Sequence, residues 1–289
     1  MRNIFLPVAA VMATTVAVSA EDFTPAPYDY EYLSVSEIQR QFTSDNVATL
    51  RQIFNEAIYP QDWDRLRELY ADNYVQHNPD MEDGKEGVIK LFRSLDYDQL
   101  VYETFMTIAE GPYVIALSKL QFAKDAPVLG VIDINFITEG KSREHWDIIM
   151  PVEDAESFFS VSQAATPQDQ ATIDANKALA AEFVNVVFNR GEAEKARDYI
   201  GDTYIQHGRG DNSADSVVKL AQTAFRGGTI DIKRIVAQDD LVMMHSRVSL
   251  RGQDFARADV WRVTDGKLTE HWGFMQPVPD QMAHRNGMF

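Results

Sequence analysis

The chain contains no cysteine in its 289 residues. That absence excludes disulfides, zinc–thiolate sites, iron–sulfur clusters and cysteine nucleophiles together. Positive charge is scarce as well: 27 Lys and Arg face 44 Asp and Glu, a formal net charge of −17. Such a surface repels phosphate backbones and anionic lipid, so neither nucleic acid nor a membrane is expected as a partner. Histidine is rare, with six in all, which makes each one's position informative. What is present is an ordinary globular composition, 45% hydrophobic and 11% aromatic, too apolar for a disordered chain. The length suggests about two domains.

The N-terminus reads as an address. Arg2 precedes an apolar stretch from Ile4 to Val18, and Val18-Ser19-Ala20 offers the small residues a signal peptidase needs. The stretch is shorter than the ~20 residues of a spanning helix, and Glu21 and Asp22 follow at once. Residues 1–20 are therefore expected to be a signal peptide and the protein periplasmic or secreted; a retained anchor is the competing reading. Residues 21–45, with Tyr28, Tyr30, Tyr32 and Leu33, read as an arm laid over a domain surface or as a loose tail.

The chain holds one unit twice. Tyr74-Val75-Gln76-His77 returns as Tyr204-Ile205-Gln206-His207, an offset of 130, and Glu144-His145-Trp146 returns as Glu270-His271-Trp272, an offset of 126. Pro151-Val152 and Pro277-Val278, and Asp133 and Asp259, keep the second offset. Ordered matches with so little drift imply a duplication, and the period is too long for a solenoid. The boundaries expected are 46–152 for domain 1, 153–172 for a linker, 173–280 for domain 2 and 281–289 for a tail. Phe158, Phe159 and Val161 are the linker residues able to dock on a domain.

Within each copy, helical periodicity precedes strand-like runs. Val47, Leu50, Ile53, Phe54 and Ala57 share one helical face after candidate caps Ser44 and Asp45; Trp63, Leu66 and Leu69 make a second helix, and Val88, Leu91 and Phe92 a third after Asp83. Copy two answers with Leu179, Phe183 and Val187, then Ala196 and Tyr199, then Val217, Leu220 and Phe225. Strand runs then close each copy, so the expected class is α+β, with three helices on one face of an antiparallel or mixed sheet.

The last hairpin carries the polar residues. A three-residue loop, Thr138-Glu139-Gly140, sets Ile137 against Lys141, Asp133 against His145 and Val131 against Asp147. Side chains alternate along a strand, so Asp133, His145 and Asp147 share a face. The other face, with Ile132, Ile134, Phe136, Trp146 and Ile148, requires a cover. Copy two repeats Asp259 and His271 but has Gly273 where copy one has Asp147. An inward Asp–His pair can serve catalysis or simply satisfy itself and fix the hairpin's register. Likewise Tyr-x-Gln-His can line a pocket or merely join helix to helix. His77, His145, Asp133 and Asp147 form no compact metal-ligand motif, so no metal is expected. His245, in a strand run, and His284, in a polar tail, receive no role; Met243, Met244 and the tryptophans read as core.

The string Tyr-x-Gln-His-Asn-Pro at 74–79, Asp83-Gly84-Lys85-Glu86-Gly87 after it, and Glu-His-Trp-Asp at 144–147 resemble the SnoaL-like polyketide cyclases. These belong to the nuclear-transport-factor-2-like superfamily, with ketosteroid isomerase and limonene epoxide hydrolase. The resemblance covers roughly 46–152 and 173–279. It implies two tandem cone-shaped domains, each a curved sheet wrapped on three helices around a pocket. It also implies acid–base chemistry without metal or organic cofactor, with Asp147 as acid/base and His145 beside it. Asp133 stands where family cyclases carry another histidine. His77 and Tyr74, with His207, Asp259 and His271 in copy two, are the candidate ligand-binding residues. Two functions follow: a cofactor-independent lyase or isomerase acting in copy one on a small apolar carbonyl-type ligand, or a binding or scaffold module without chemistry. An open pocket favours the first and a filled one the second. Family domains pair sheet on sheet, so the two copies are expected to form an intrachain pseudo-dimer, Trp146 and Ile148 against Trp272 and Phe274.

Overall fold

The computed structural model describes residues 35–289. The expected leader, 1–20, and residues 21–34 of the expected arm lie outside the described residues. The first described element, α1 (Val35–Gln52), starts well before the candidate caps Ser44 and Asp45 and runs on into a π-helical turn, Ile53–Ile58. Then come α2 (Trp63–Leu69), β1 (Tyr70–Gln76), α3 (Gly84–Arg93) and strands β2 (Val101–Glu110), β3 (Tyr113–Gln121), β4 (Leu129–Thr138) and β5 (Lys141–Pro151). A short α4 (Ala155–Phe158) leads to the second copy. It comprises α5 (Gln170–Phe183) with its own π turn (Val184–Asn189), a 3-10 turn (Ala193–Lys195), α6 (Ala196–Tyr199), β6 (Ile200–His207) and α7 (Ala214–Gln222). Strands β7 (Thr229–Gln238), β8 (Leu241–Leu250), β9 (Gln253–Thr264) and β10 (Lys267–Pro277) complete it. The two π turns fall at equivalent positions. The fold is α+β, as the periodicities suggested.

Local chemistry explains the helix starts. Asp62 accepts from the Arg65 amide, Asp83 from Gly84, Asp169 from Thr172 and Ser213 from Ser216, each filling an otherwise unpaired first-turn donor. Each copy forms a five-stranded mixed sheet, ordered β1-β5-β4-β3-β2 and β6-β10-β9-β8-β7. Only β1 and β6 run parallel to their neighbours. The Tyr-x-Gln-His string is thus not a helix-to-helix joint: it ends a parallel edge strand, with Gln76 level with His145.

The hairpin register also differs from expectation. The loop has two residues, Glu139 (φ +54°) and Gly140 (φ +67°), between Thr138 and Lys141. Positive φ at both central positions suits the right-handed twist of the strands. A bulge at Arg143 then adds one residue, setting Asp133 opposite Asp147 and Asn135 opposite His145. The shift from the expected register is two residues, an even number, so Asp133, His145 and Asp147 still share a face. Copy two repeats this, with Asp259 opposite Gly273.

The apolar outer faces of the two sheets cover one another. Ile132, Ile134, Trp146 and Ile148 form one buried cluster with Val236, Met243, Ala258, Val260, Trp272 and Phe274, which makes the chain an intrachain pseudo-dimer. At the sheet edges, Gln238 Oε1 accepts from the Ala109 amide (2.8 Å) and Gln276 Oε1 from Ile149 (3.1 Å). The segments that follow β5 and β10 cross reciprocally. Ser157, after domain 1, offers its carbonyl to His207 Nδ1 (2.8 Å); Gly287, after domain 2, offers its carbonyl to His77 Nδ1 (2.7 Å). Phe158, 1% exposed, packs on the Phe274 ring. It lies so close to Gly130 and Gly208 that a Cβ at either would stand 3.0 and 3.2 Å from its ring. Val161, by contrast, is exposed. Phe158→Ala should lower the stability to denaturant by about 3–5 kcal/mol, the usual cost of emptying a buried aromatic site; an equilibrium unfolding curve measures it.

Candidate functional site

The inner face of domain 1's sheet carries a polar group where an apolar core would otherwise close. Buried side chains between helices and sheet fall into two clusters, one around Ile53, Leu66, Tyr74 and Val88, the other around Leu50, Val114 and Ile137. Asp133, His145 and Asp147 belong to neither. His145 Nε2 meets Asp133 Oδ1 at 3.0 Å and its Nδ1 meets Gln76 Oε1 at 3.1 Å. That Gln76 atom is fixed as the oxygen because it also accepts from the His77 and Asn78 amides, at 2.9 and 2.8 Å. Both ring nitrogens therefore point at acceptors, which favours the doubly protonated ring. Burial pulls the His145 pKa down, but the Asp133 hydrogen bond and the charges of Asp147 and Asp133 outweigh it and raise the pKa above the ordinary histidine value.

Asp147 is 6% exposed. Its Oδ2 accepts from Asn78 Nδ2 at 2.7 Å, while Oδ1 is buried without a partner. Burial, with Asp133's charge adding and His145 and Asn78 opposing, pushes its carboxyl up to about 6. Tyr102 donates its hydroxyl to Asp133 Oδ2. The Tyr102 ring, stacked on Phe54, also lines a surface cavity of about 310 Å³ with Tyr59, Tyr97, Leu100, Val101 and Glu103. Asp147 does not line it; Tyr102 reaches from this cavity to Asp133. Burial first, then Asp133, holds the Tyr102 phenol well above its ordinary pKa, so it acts as a neutral donor.

The three site residues each bring one ligand atom within 4.8 Å of the others, close enough to share a divalent ion. To ligate one, His145 Nε2 would have to give up the proton it directs at Asp133, while Gln76 holds the other ring proton on Nδ1.

The other expected ligand-binding residues lie elsewhere. His77 and His207 sit on the opposite face, stacked on Trp146 (4.8 Å) and Trp272 (4.2 Å), and they bond Glu144 and Glu270, each at 2.8 Å. Tyr74 is buried, its hydroxyl accepting from Gln76 Nε2 at 2.9 Å; Tyr204 donates to Gln206 Oε1. Asp259 and His271 meet at 2.8 Å, as Asp133 and His145 do, but Arg257 grips both Asp259 oxygens at 2.7 and 2.6 Å. Burial raises Asp259, yet Arg257 and His271 prevail and hold it at about 2; burial and the Arg257 charge leave His271 below its ordinary value. Trp261 stacks on His271 at 5.0 Å and joins a single continuous core. At the repeat's offset, domain 1 has Asn135 in that place.

Gln76, Asn78 and Tyr102 were not singled out from the sequence, and His284, set aside there, bonds the Asn78 carbonyl at 2.8 Å. One signal was available for Asn78. At the first repeat offset it aligns with Gly208, as Asp147 at the second aligns with Gly273, so copy two has lost both halves of the Asn78–Asp147 pair.

A SnoaL-like domain matches the sequence twice, over residues 50–145 and 180–271, and the chain belongs to the SnoaL-like family. Among solved structures, a candidate ketosteroid isomerase from Kribbella flavida aligns with TM-score 0.35 and 13% identity, over 39% of this chain and 87% of its own. IdmH, a candidate polyketide cyclase from Streptomyces antibioticus, aligns with TM-score 0.30 and 20% identity, over 35% and 91%. An epoxide hydrolase of M. tuberculosis, described as LEH-like, aligns with TM-score 0.31 and 17% identity, over 36% and 85%. No curated protein matches the sequence significantly.

Asp147 also predicts a stability effect. Its pKa rises on folding from 3.8 to about 6, so between those values the unfolded chain binds fewer protons and stability falls as pH rises, by up to about 3 kcal/mol. Asp147→Asn should therefore stabilise the protein at pH 8 and give no gain at pH 4, as read by thermal unfolding at the two pH values.

Proposed function

We propose that the protein is exported and binds a small apolar carbonyl compound, and that domain 1 moves a proton at the carbon beside the carbonyl. The observation that carries this reading is the free, buried Oδ1 of Asp147 on a carboxyl titrating at about 6, next to His145. Such a group is ionised at neutral pH yet basic enough to accept a proton from carbon. Asp147 takes that proton and the carbonyl becomes an enolate, whose charge the His145 imidazolium offsets in a site poor in water. Where the substrate carries a β,γ double bond the enolate is a dienolate, and the proton returns at the γ-carbon, which is an isomerisation. Alternatively the enolate carbon attacks a second carbonyl of the same molecule and the new alkoxide takes the proton back, which is a cyclisation. Neither route consumes a cofactor.

Domain 2 lacks Asp147's counterpart and its interior is filled by Trp261, so the chemistry belongs to domain 1 alone. The second reading, a binding or scaffold module without chemistry, draws on that filled interior and on Tyr102 standing between the surface cavity and Asp133.

Native mass spectrometry of the purified protein should show a bound small molecule, and the mature chain should begin at Glu21. With that compound or an analogue as substrate, Asp147→Asn should reduce turnover at least about a hundredfold while binding persists. Undiminished turnover would refute the role. The wild-type rate should rise through about pH 6 as Asp147 ionises and fall above the ordinary histidine range as His145 loses its proton. The variant should lose the acid limb.

A further inference from the structure

We propose that residues 283–287, which follow domain 2, are a positioning strap for the Asp147 site of domain 1. The loop at 76–80 supplies both side chains that orient the site, Gln76 to His145 and Asn78 to Asp147. Three of its carbonyl oxygens, those of Gln76, Asn78 and Pro79, accept bonds from the strap. Asn286 Nδ2 donates to the Gln76 carbonyl at 3.0 Å, His284 Nε2 to the Asn78 carbonyl at 2.8 Å, and the Ala283 amide to the Pro79 carbonyl at 2.8 Å. His284 Nδ1 accepts from the Asn286 amide at 3.2 Å, which fixes its tautomer with the proton on Nε2, aimed at Asn78. Two anchors hold the strap in place: Met288, 2% exposed, and Phe289, stacked on His245 at 5.8 Å.

The mirror arrangement shows why this is more than a domain clasp. The segment after domain 1 straps domain 2 in the same manner, through Ser157 on His207 and Ser162 on Glu270. There, glycines replace both Asn78 and Asp147, and the strap has no such pair to hold. Domain 2 therefore lacks the Asn–Asp pair while supplying the tail that aligns its neighbour's. His284 acts through Asn78 and Asn286 through Gln76, and both are positioning residues; neither touches Asp147. This rests on the acid–base reading of Asp147 only for its functional meaning, since the alignment itself can be measured without substrate.

The Asn78 hydrogen bond lowers the Asp147 pKa, against burial and against Asp133 and Asp80, with His145 assisting and Tyr74 packed alongside. Loosening the loop should let it rise. A carbon-13 NMR titration of the aspartate carboxyls, with Asp147 assigned by its loss in Asp147→Asn, provides the readout. His284→Ala and Asn286→Ala together should move the Asp147 midpoint up from about 6 by roughly half a unit or more. His284→Gln, which keeps a donor for the Asn78 carbonyl, should hold the midpoint close to the wild-type value when Asn286 is intact. Ser162→Ala, which removes the mirror strap's side-chain bond to Glu270, should leave the midpoint unmoved. Unchanged His271 signals verify that domain 2 remains folded. An Asp147 midpoint unmoved in the double variant, or moved as far by Ser162→Ala, would overturn the proposal. A strap shift alongside full turnover in Asp147→Asn would sink the acid–base reading alone.

Discussion

A carboxylate taken out of water with one oxygen unpaired is expensive, and Asp147 is in that position. Among the described residues no lysine or arginine is paired with it. The charge it faces is the His145 ring, itself held between Asp133 and Gln76. This single constraint organises the surrounding polar contacts. The bulge at Arg143 sets Asp133 opposite Asp147; the edge strand β1 delivers Gln76 level with His145; the loop beyond it turns Asn78 back onto the carboxylate. Domain 2 meets the same cost differently: Trp261 closes the core that domain 1 leaves divided, and Arg257 neutralises the buried Asp259. Polar groups held against that cost are the sites at which folds commonly carry function.

Comparison of the two halves separates what the fold needs from what the site needs. Both keep the parallel edge strand, the two-residue hairpin with its bulge, the π turn in the first helix, and the histidine clasped by the opposite domain's tail. These shared features serve folding and the sheet-on-sheet contact. The differences cluster on the inner face. Asn78 and Asp147 become glycines, Asn135 becomes Trp261, and Asp259 gains Arg257 as a permanent counter-charge. Asp259 is thereby held strongly acidic while Asp147 is pushed toward neutrality. The same fold thus produces opposite electrostatics from four positions.

Much of the fold was legible because duplication and alternation are local signals. The repeat placed the hairpins, and the apolar stripe through Ile132, Ile134, Trp146 and Ile148 announced a covered face. The Asp133–His145–Asp147 face survived an error in register only because the error was two residues; a slip of one would have separated them. The histidines of Tyr-x-Gln-His suit a pocket lining or a joint between helices, yet they stack on Trp146 and Trp272 on the face away from His145, since residue 76 rather than 77 matches His145 in the parallel ladder. Asn78 and Gln76 bond partners 69 positions away and His284 bonds across 206. No periodicity encodes such links; they follow from how two sheets and two tails come together.

Held between two acceptors, with its pKa raised, His145 is the counter-charge that lets Asp147 persist inside domain 1. Nitrogen-15 NMR of the imidazole through a pH titration tests it most directly. A His145 midpoint above 6.5, with both ring nitrogens protonated below it, is the predicted result. A neutral single tautomer persisting well below pH 6 would contradict it.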